Sequence, residues 1–174
     1  MRPLFLMAIL LAASPAAAEV LNSGPSGFEV QETVQVVVPP EQAWNALEHV
    51  GDWWDQAHTY SGKSENMRMA LSMGACLCET FEGGGGIEHL RVVYADPGKR
   101  AILTGSLGPL LYEATSGVMD LKVERIASGA RVTMNYRVSG FYNGGAQKLA
   151  PLVDQVLGEQ MKRFRAYVTK LPRT

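Results

Sequence analysis

In this 174-residue sequence, few side chains have neighbours that would make them suitable for catalysis. Glu79 alternates with Leu77 and Phe81, so it would be a carboxylate on a mostly apolar face. Burial there would raise its pKa and suit it to general acid–base chemistry. His58 and Tyr136 are weaker candidates for the same proton transfer. The simpler interpretation, which we favour, is a Glu79 that pairs with a nearby arginine or lies in water at a rim.

The two cysteines form the sequence Cys76-x-Cys78 within a predicted strand. A bridge between residues two apart in a strand has unfavourable geometry, so we favour two separate thiols that pack as small hydrophobes. A redox pair, a bridge to another molecule and a metal site are the alternatives. Together with His89 the thiols would offer ligands suited to zinc or copper, and His58 would complete the set only if its loop folded over. The signal is weak, and we predict neither a metal nor another cofactor.

These groups lie on a predicted hairpin, in which residues 75–82 and 87–94 are strands and Gly83 to Gly86 form the turn. An even-length turn would pair Glu82 with Ile87, and would set Thr80 opposite His89 and Cys78 opposite Arg91. One face then carries Cys76, Cys78, Thr80, His89, Arg91 and Val93. The other carries Leu77, Glu79, Phe81, Glu88, Leu90, Val92 and Tyr94, and we predict that this more apolar face points inward.

The remaining elements follow from hydrophobic periodicity and turn residues. A strand is predicted over residues 28–38, with Glu32 the one polar exception on its apolar face. Pro39 and Pro40 end that strand and open a short helix. Further strands are predicted over residues 67–71, 100–105, 114–124 and 130–138. Apolar spacings of three and four predict a final helix over residues 147–171, with Pro151 either in its first turn or at a kink.

The first 18 residues are typical of an export signal. Arg2 precedes an apolar run from Leu4 to Ala13, and small residues precede a cleavage site predicted between Ala18 and Glu19. We therefore expect a periplasmic or secreted protein, with a poorly ordered lead-in over residues 19–27 and one domain over residues 28–171. No later apolar run is long enough to span a bilayer, so we expect no stable membrane insertion.

Several motifs spread over the mature chain resemble those of the START-like superfamily, which includes the Bet v 1 allergens and the polyketide cyclase/dehydrase and lipid-transport families. They are the strand-Pro-Pro-Glu-x-x-Trp-x-x-Leu segment ending in Gly51-x-Trp-Trp, Gly74-x-Cys-x-Cys-Glu79, His89-x-x-Val-Val, the Pro97-Gly98 turn, Gly105-x-Leu-Gly-Pro-Leu110 and the final helix. The resemblance implies an α+β helix-grip fold, in which a curved antiparallel sheet wraps around a long C-terminal helix. It also implies an internal cavity.

The resemblance implies a protein that binds or carries a small hydrophobic molecule, lipid- or polyketide-like, between the sheet and the last helix. The expected ligand-binding residues are Trp54, His58, Tyr60, Leu77, Glu79, Phe81, Leu90, Met119, Tyr136, Val153 and Leu157. A cyclase- or dehydratase-like enzyme that uses Glu79 with His58 or Tyr136 is the first alternative. A protein-interaction module with a vestigial cavity is the second.

Composition and missing motifs narrow the function further. The sequence has 16 Lys and Arg against 17 Asp and Glu, so no excess of positive charge favours nucleic acid or an anionic membrane. The glycine run lacks the Lys-Ser/Thr of a phosphate-binding loop, and no serine-hydrolase elbow or zinc-protease motif is present. We therefore expect no nucleic-acid partner.

Overall fold

Eight antiparallel strands form one curved sheet in the computed structural model, which describes residues 17–172. The spatial order is β1-β2-β8-β7-β6-β5-β4-β3. The strands are β1 (Ala17–Gly24), β2 (Gly27–Val36), β3 (Met67–Met69), β4 (Cys76–Thr80), β5 (Gly86–Asp96), β6 (Arg100–Gly105), β7 (Ala114–Ile126) and β8 (Gly129–Phe141). The predicted α+β helix-grip fold is confirmed.

The first strand was not expected. Residues 19–27 are predicted to be a poorly ordered lead-in, but Ala17–Gly24 pairs with β2 from Ala17 opposite Thr33 to Gly24 opposite Gly27. This correction has a physical reason, because the unpaired edge of β2 offers backbone hydrogen bonds to any extended segment whatever its side chains. The export signal predicted over residues 1–18 lies almost wholly outside the described residues and stays a prediction.

In the described part of the chain, three α-helices complete the fold: α1 (Pro40–Glu48), α2 (Val50–Trp53) and α3 (Ala150–Lys170). Pro40 stands in the first turn of α1 and Pro151 in the first turn of α3, where the missing N–H leaves no hydrogen bond unmade. Short 3-10 helices cover Gln56–His58, Ser64–Asn66, Gly108–Tyr112 and Ala146–Lys148. Among residues 17–172, no helix combines the length and the apolarity that a bilayer span requires.

The long helix α3 lies across β2 and β1 and buries one stripe of its surface. Phe164 and Met161 are fully buried in the core, and Phe164 meets the Trp53 ring edge to face at a centroid distance of 5.3 Å. The helix also carries one buried polar side chain on that stripe, Gln160. The N-terminal half of α3 stands beside the loop that follows α2, and a cavity opens between them.

Candidate functional site

A cavity of about 470 Å³ lies between the first half of α3, the loop after α2 and the segment that connects β6 to β7. This volume is within the range of small-molecule binding sites, about 300–1,000 Å³. Most of the wall is apolar, and the polar groups are few. The wall is formed by Trp54, Ala57, His58, Thr59, Tyr60, His89, Leu107, Gly108, Pro109, Leu110, Tyr112, Glu113, Tyr142, Leu149, Leu152, Val153, Val156 and Leu157.

Glu79 supports the cavity wall from behind. Its carboxylate accepts hydrogen bonds from the backbone N–H of Tyr60 at 3.0 Å and of Ser61 at 2.5 Å, and only 1% of the residue is exposed. Burial alone would raise the pKa of Glu79, but the hydrogen bonds from Ser61, Tyr60 and His89 outweigh it and hold that pKa below its ordinary value. The raised pKa that burial alone would give is not found. The interpretation that we favoured from the sequence is also wrong, because Glu79 neither pairs with an arginine nor lies in water at a rim. Glu79 is an ionised anchor for the Tyr60 loop.

His89 is the third partner of the Glu79 carboxylate, with Nε2 3.3 Å from Oε2. Burial lowers the pKa of His89 below its ordinary value, although Glu79 partly offsets this effect. The ring lines the cavity beside Tyr60, at a centroid distance of 5.8 Å. Its Nδ1 atom is buried and has no hydrogen-bond partner among the described residues. A buried carboxylate–imidazole pair thus stands in the cavity wall.

The loop after α2 is fastened to α3 by a second set of polar contacts. Gln160 accepts a hydrogen bond from the backbone N–H of Asp55 at 2.8 Å, and its Nε2 lies 3.1 Å from His58 Nδ1. Arg163 donates to the Trp53 carbonyl at 3.1 Å and pairs with the Asp55 carboxylate at 3.3 Å. Gln160 and Arg163 of α3 consequently hold His58 and its flanking backbone at the cavity mouth. The same helix forms the opposite wall of the cavity.

Tyr136 fixes the third wall segment without reaching the cavity. Its hydroxyl donates to the Gly105 carbonyl at 3.1 Å and accepts from the Leu107 N–H at 3.1 Å. Burial raises the pKa of Tyr136 to about 12. The side chain therefore stays protonated at neutral pH and positions the start of the segment that contributes Leu107 and Leu110 to the wall.

The structure brings only part of the predicted ligand-binding set to the cavity. Trp54, His58, Tyr60, Val153 and Leu157 line it. Leu77, Leu90, Met119 and Tyr136 are buried in the core instead, Glu79 lies beneath the loop, and Phe81 is half-buried at the end of the hairpin. The predicted catalytic group does not assemble either: Glu79 bonds His89, whereas His58 bonds Gln160 and Tyr136 bonds the β6–β7 segment.

The register predicted for the hairpin is wrong. Thr80 pairs with Gly86 and Cys78 with Glu88, so the loop spans residues 81–85 and is odd in length. Positive φ angles at Gly83 and Gly84 allow the chain to reverse direction within this loop. A bulge opposite Leu77 and Cys78 then turns two consecutive residues, His89 and Leu90, inward.

The inward face of the hairpin is partly as predicted. Leu77, Glu79, Leu90 and Val92 are buried, but Glu88 and Tyr94 are exposed. His89, which the predicted register placed on the outer face with the cysteines, is buried beside Glu79 because of the bulge. His89 and Gln160 are two polar residues that sequence reasoning did not assign to the site. Thr59, Tyr112 and Glu113 also line the cavity and were not predicted. The sequence pattern could have indicated that Gln160 is buried, because it occupies a position on the apolar stripe of the final helix.

The cysteines form a disulfide, with 5.4 Å between the Cα atoms of Cys76 and Cys78. The prediction of two separate thiols is wrong, because this Cα separation is within the range that a disulfide spans. The pair lies on the outer side of the hairpin near Glu88, away from the buried His89. The convergence of both cysteines with His89 is therefore not observed.

Comparison with known proteins supports the fold and leaves the family open. No family model matches the chain, and no curated protein matches it. Protein MLL2253 from Mesorhizobium loti is 17% identical, with a TM-score of 0.60 over 83% of this chain and 98% of its own. CalU16 from Micromonospora echinospora is 8% identical, with a TM-score of 0.56 over 90% of this chain and 85% of its own.

DynU16, a protein in the dynemicin biosynthetic locus, is similar in fold as well. It is 16% identical, with a TM-score of 0.59, and the match covers 82% of this chain and 47% of DynU16. All three identities are so low that the likeness concerns the fold alone. It is consistent with the Bet v 1-like architecture that the sequence motifs resemble.

Proposed function

We propose that the protein binds and carries a small, largely hydrophobic molecule in the cavity between α3, the loop after α2 and the β6–β7 segment. The observation that carries this proposal is the cavity itself, at about 470 Å³ with a mostly apolar wall and a few polar groups at its mouth. Removing about 300 Å² of apolar ligand surface from water would supply roughly 7 kcal/mol before the cost of association. Micromolar affinity is the expected result.

The class of ligand follows from the wall and from the fold. Leu107, Leu110, Val153, Val156 and Leu157 suit a ring or chain of hydrocarbon rather than a sugar or nucleotide. One similar structure belongs to a biosynthetic locus, that of dynemicin, which supports a polyketide- or lipid-like product as the ligand. With the export signal predicted over residues 1–18, we place this binding in the periplasm or outside the cell.

The test is native mass spectrometry of protein expressed in full and purified without organic solvent, followed by extraction and identification of anything released. We expect a stoichiometric apolar adduct on the wild type. Val156→Trp should lose it, because the indole would fill the cavity that Val156 lines. Gln155→Trp, at an exposed position on the same helix, is the matched control and should keep it. A clean apo mass, together with no uptake of a naphthalene probe, would contradict binding and favour the interaction module.

The second candidate, an acid–base enzyme acting on such a molecule, is favoured by the Glu79–His89 pair in the cavity wall. An ionised carboxylate beside a neutral imidazole is the arrangement by which a histidine base is oriented and its cation stabilised. On this hypothesis Glu79 works with His89 rather than with His58 or Tyr136.

Glu79→Gln distinguishes the carrier from the enzyme through the chemical identity of the extracted ligand. A carrier should hold the same molecule in the wild type and in the variant. An enzyme should accumulate an unconverted precursor in the variant, with a mass that differs by the atoms gained or lost in the reaction. Circular dichroism of both proteins provides the control for folding, since Glu79 also anchors the Tyr60 loop.

A further inference from the structure

The buried amide of Gln160 has only one orientation that satisfies its neighbours. Its Oε1 atom lies 2.8 Å from the backbone nitrogen of Asp55, and that N–H is a donor in every state of the protein. The acceptor opposite it must be the carbonyl oxygen, so the NH₂ group of Gln160 faces the other way. Gln160 is completely buried, which makes both of these hydrogen bonds important to its stability.

The orientation of Gln160 determines the tautomer of His58. The NH₂ group of Gln160 lies 3.1 Å from His58 Nδ1, and a donor in that position requires a lone pair on Nδ1. The ring hydrogen of neutral His58 is therefore on Nε2. Trp54 Nε1 also donates to the His58 carbonyl at 3.0 Å, so the residue is held through its backbone and through its ring.

The Nε2–H group is thus a donor on a ring that lines the cavity and is held in place. His58 is exposed and lines the cavity, and Nε2 makes no hydrogen bond with any residue in the described part of the chain. Arg163 fastens the flanking backbone through Trp53 and Asp55, so little freedom would be lost when a ligand binds. The hydrogen-bonding capacity of His58 toward a ligand is that of a donor.

We propose that the ligand of this cavity presents an oxygen acceptor, such as a ketone, quinone or carboxylate oxygen, to His58 Nε2–H, and that Gln160 is the positioning residue that fixes this polarity. This inference rests on the proposed function, since it names the chemistry at one end of the same ligand. A site with this donor should bind a plain hydrocarbon less tightly, and likewise a ligand whose only polar group is a hydrogen-bond donor.

Two probes of nearly equal shape test the donor directly. 2-Acetylnaphthalene carries a carbonyl oxygen where 2-isopropenylnaphthalene carries a CH₂ group. Their affinities for the protein therefore differ for two reasons: only the ketone can accept a hydrogen bond, and the two molecules are solvated differently in water. Solvation is the same for every protein variant and cancels when ratios are compared. We expect the ratio of ketone affinity to alkene affinity to fall roughly tenfold from the wild type to His58→Phe, the loss of one hydrogen bond in a site of this kind.

The outcomes of this titration separate the two proposals. If neither probe binds the wild type, the binding function itself fails. If both probes bind and the ratio is the same in the wild type and in His58→Phe, the cavity binds ligands but the assignment of His58 is overturned. Binding of the alkene by His58→Phe shows that the variant is folded and that its cavity is intact.

The tautomer of His58 tests the positioning role of Gln160 by spectroscopy. If Gln160 had only a structural role, replacing it would not change this tautomer. Nitrogen-15 NMR of the wild-type histidines at about pH 8, above the ordinary histidine range, should find the His58 hydrogen on Nε2. Gln160→Glu keeps an acceptor for the Asp55 N–H but replaces the NH₂ donor with an acceptor, so His58 Nδ1 should gain a hydrogen. Gln155→Glu makes the same change at an exposed position of α3 and should leave the tautomer unchanged. A wild-type His58 with its hydrogen on Nδ1, or no change in Gln160→Glu, would overturn the inference.

Discussion

Glu32→Gln is expected to raise the free energy of unfolding by about 3–5 kcal/mol at about pH 8, and to leave it nearly unchanged at about pH 5. Glu32 lies on β2 beneath α3, and only 1% of its surface is exposed. When Glu32 is ionised, neither carboxyl oxygen has a hydrogen-bond donor among the described residues, and a neighbouring polar group is the Asp154 carboxyl. The ionised form of such a group lacks both water and a compensating donor, so it destabilises the fold.

The pH dependence follows from the pKa of Glu32. Burial raises this pKa from 4.5 to about 8, the neighbouring Asp154 carboxylate contributes to the rise, and Lys162 opposes it. Burial raises the pKa of Asp154 as well. Because the folded-state pKa exceeds the unfolded one, the stabilising contribution is complete below about pH 4.5 and is lost as the pH rises toward 8. At about 1.4 kcal/mol per pKa unit, the total reaches several kcal/mol.

Urea unfolding at several pH values between about 5 and 8 measures this effect. The wild type should lose stability steadily across the range, whereas Glu32→Gln should show a much flatter profile because the amide does not titrate. Glu124→Gln, an exposed position on β7, is the matched control and should follow the wild type. Parallel profiles for the wild type and Glu32→Gln would show that Glu32 is hydrated or paired in solution.

The fold was predictable because its determinants are local. The period of two in residues 28–38 and the spacing of three and four in the final helix are visible in any short window, and both elements are present at nearly the predicted positions. The paired prolines 39 and 40 marked the boundary between β2 and α1 correctly. Glu32 was also visible in advance, as the polar exception on an apolar face.

The strands and contacts that the sequence did not reveal depend on distant partners. Strand β1 mixes apolar and polar residues without a regular period, and it forms because the edge of β2 is available to it. The hairpin register depends on glycine torsion angles and on a bulge, so counting residues across the turn gave the wrong pairs. That error hid the contact between Glu79 and His89.

The candidate site was harder to predict than the fold, because the contacts that fasten its loop to α3 join residues about a hundred positions apart. Gln160 and His58, which are in contact, are 102 positions apart in the sequence, and no local sequence pattern predicts this contact. The loop residues His58 and Tyr60 were identified from their position after Trp54, and both line the cavity. The tautomer of His58 that Gln160 favours follows only from the contact between these two side chains in the folded protein.

Gly117→Ala is expected to lower the free energy of unfolding by about 2–4 kcal/mol and to weaken binding of 2-acetylnaphthalene. A Cβ atom at position 117 would lie 2.6 Å from Cζ and 2.7 Å from the hydroxyl oxygen of Tyr136, well inside van der Waals contact. The Tyr136 ring is completely buried and has little room to move away. If the ring is displaced, its hydrogen bonds with Gly105 and Leu107 break, and the cavity segment that begins at Leu107 loses its anchor.

A double-mutant cycle with Tyr136→Leu isolates that steric cause. Leucine removes the ring that the new methyl group would strike, so Gly117→Ala should cost less than about 1 kcal/mol in this background, and the two changes should be strongly non-additive. Gly24→Ala, where an added Cβ meets nothing within 4 Å, is the matched control and should be close to neutral. An equal cost for Gly117→Ala in both backgrounds would assign the effect to the strand backbone. The link between Tyr136 and the cavity wall would then have to be tested by Tyr136→Phe, which keeps the ring and removes only the hydroxyl that holds Leu107.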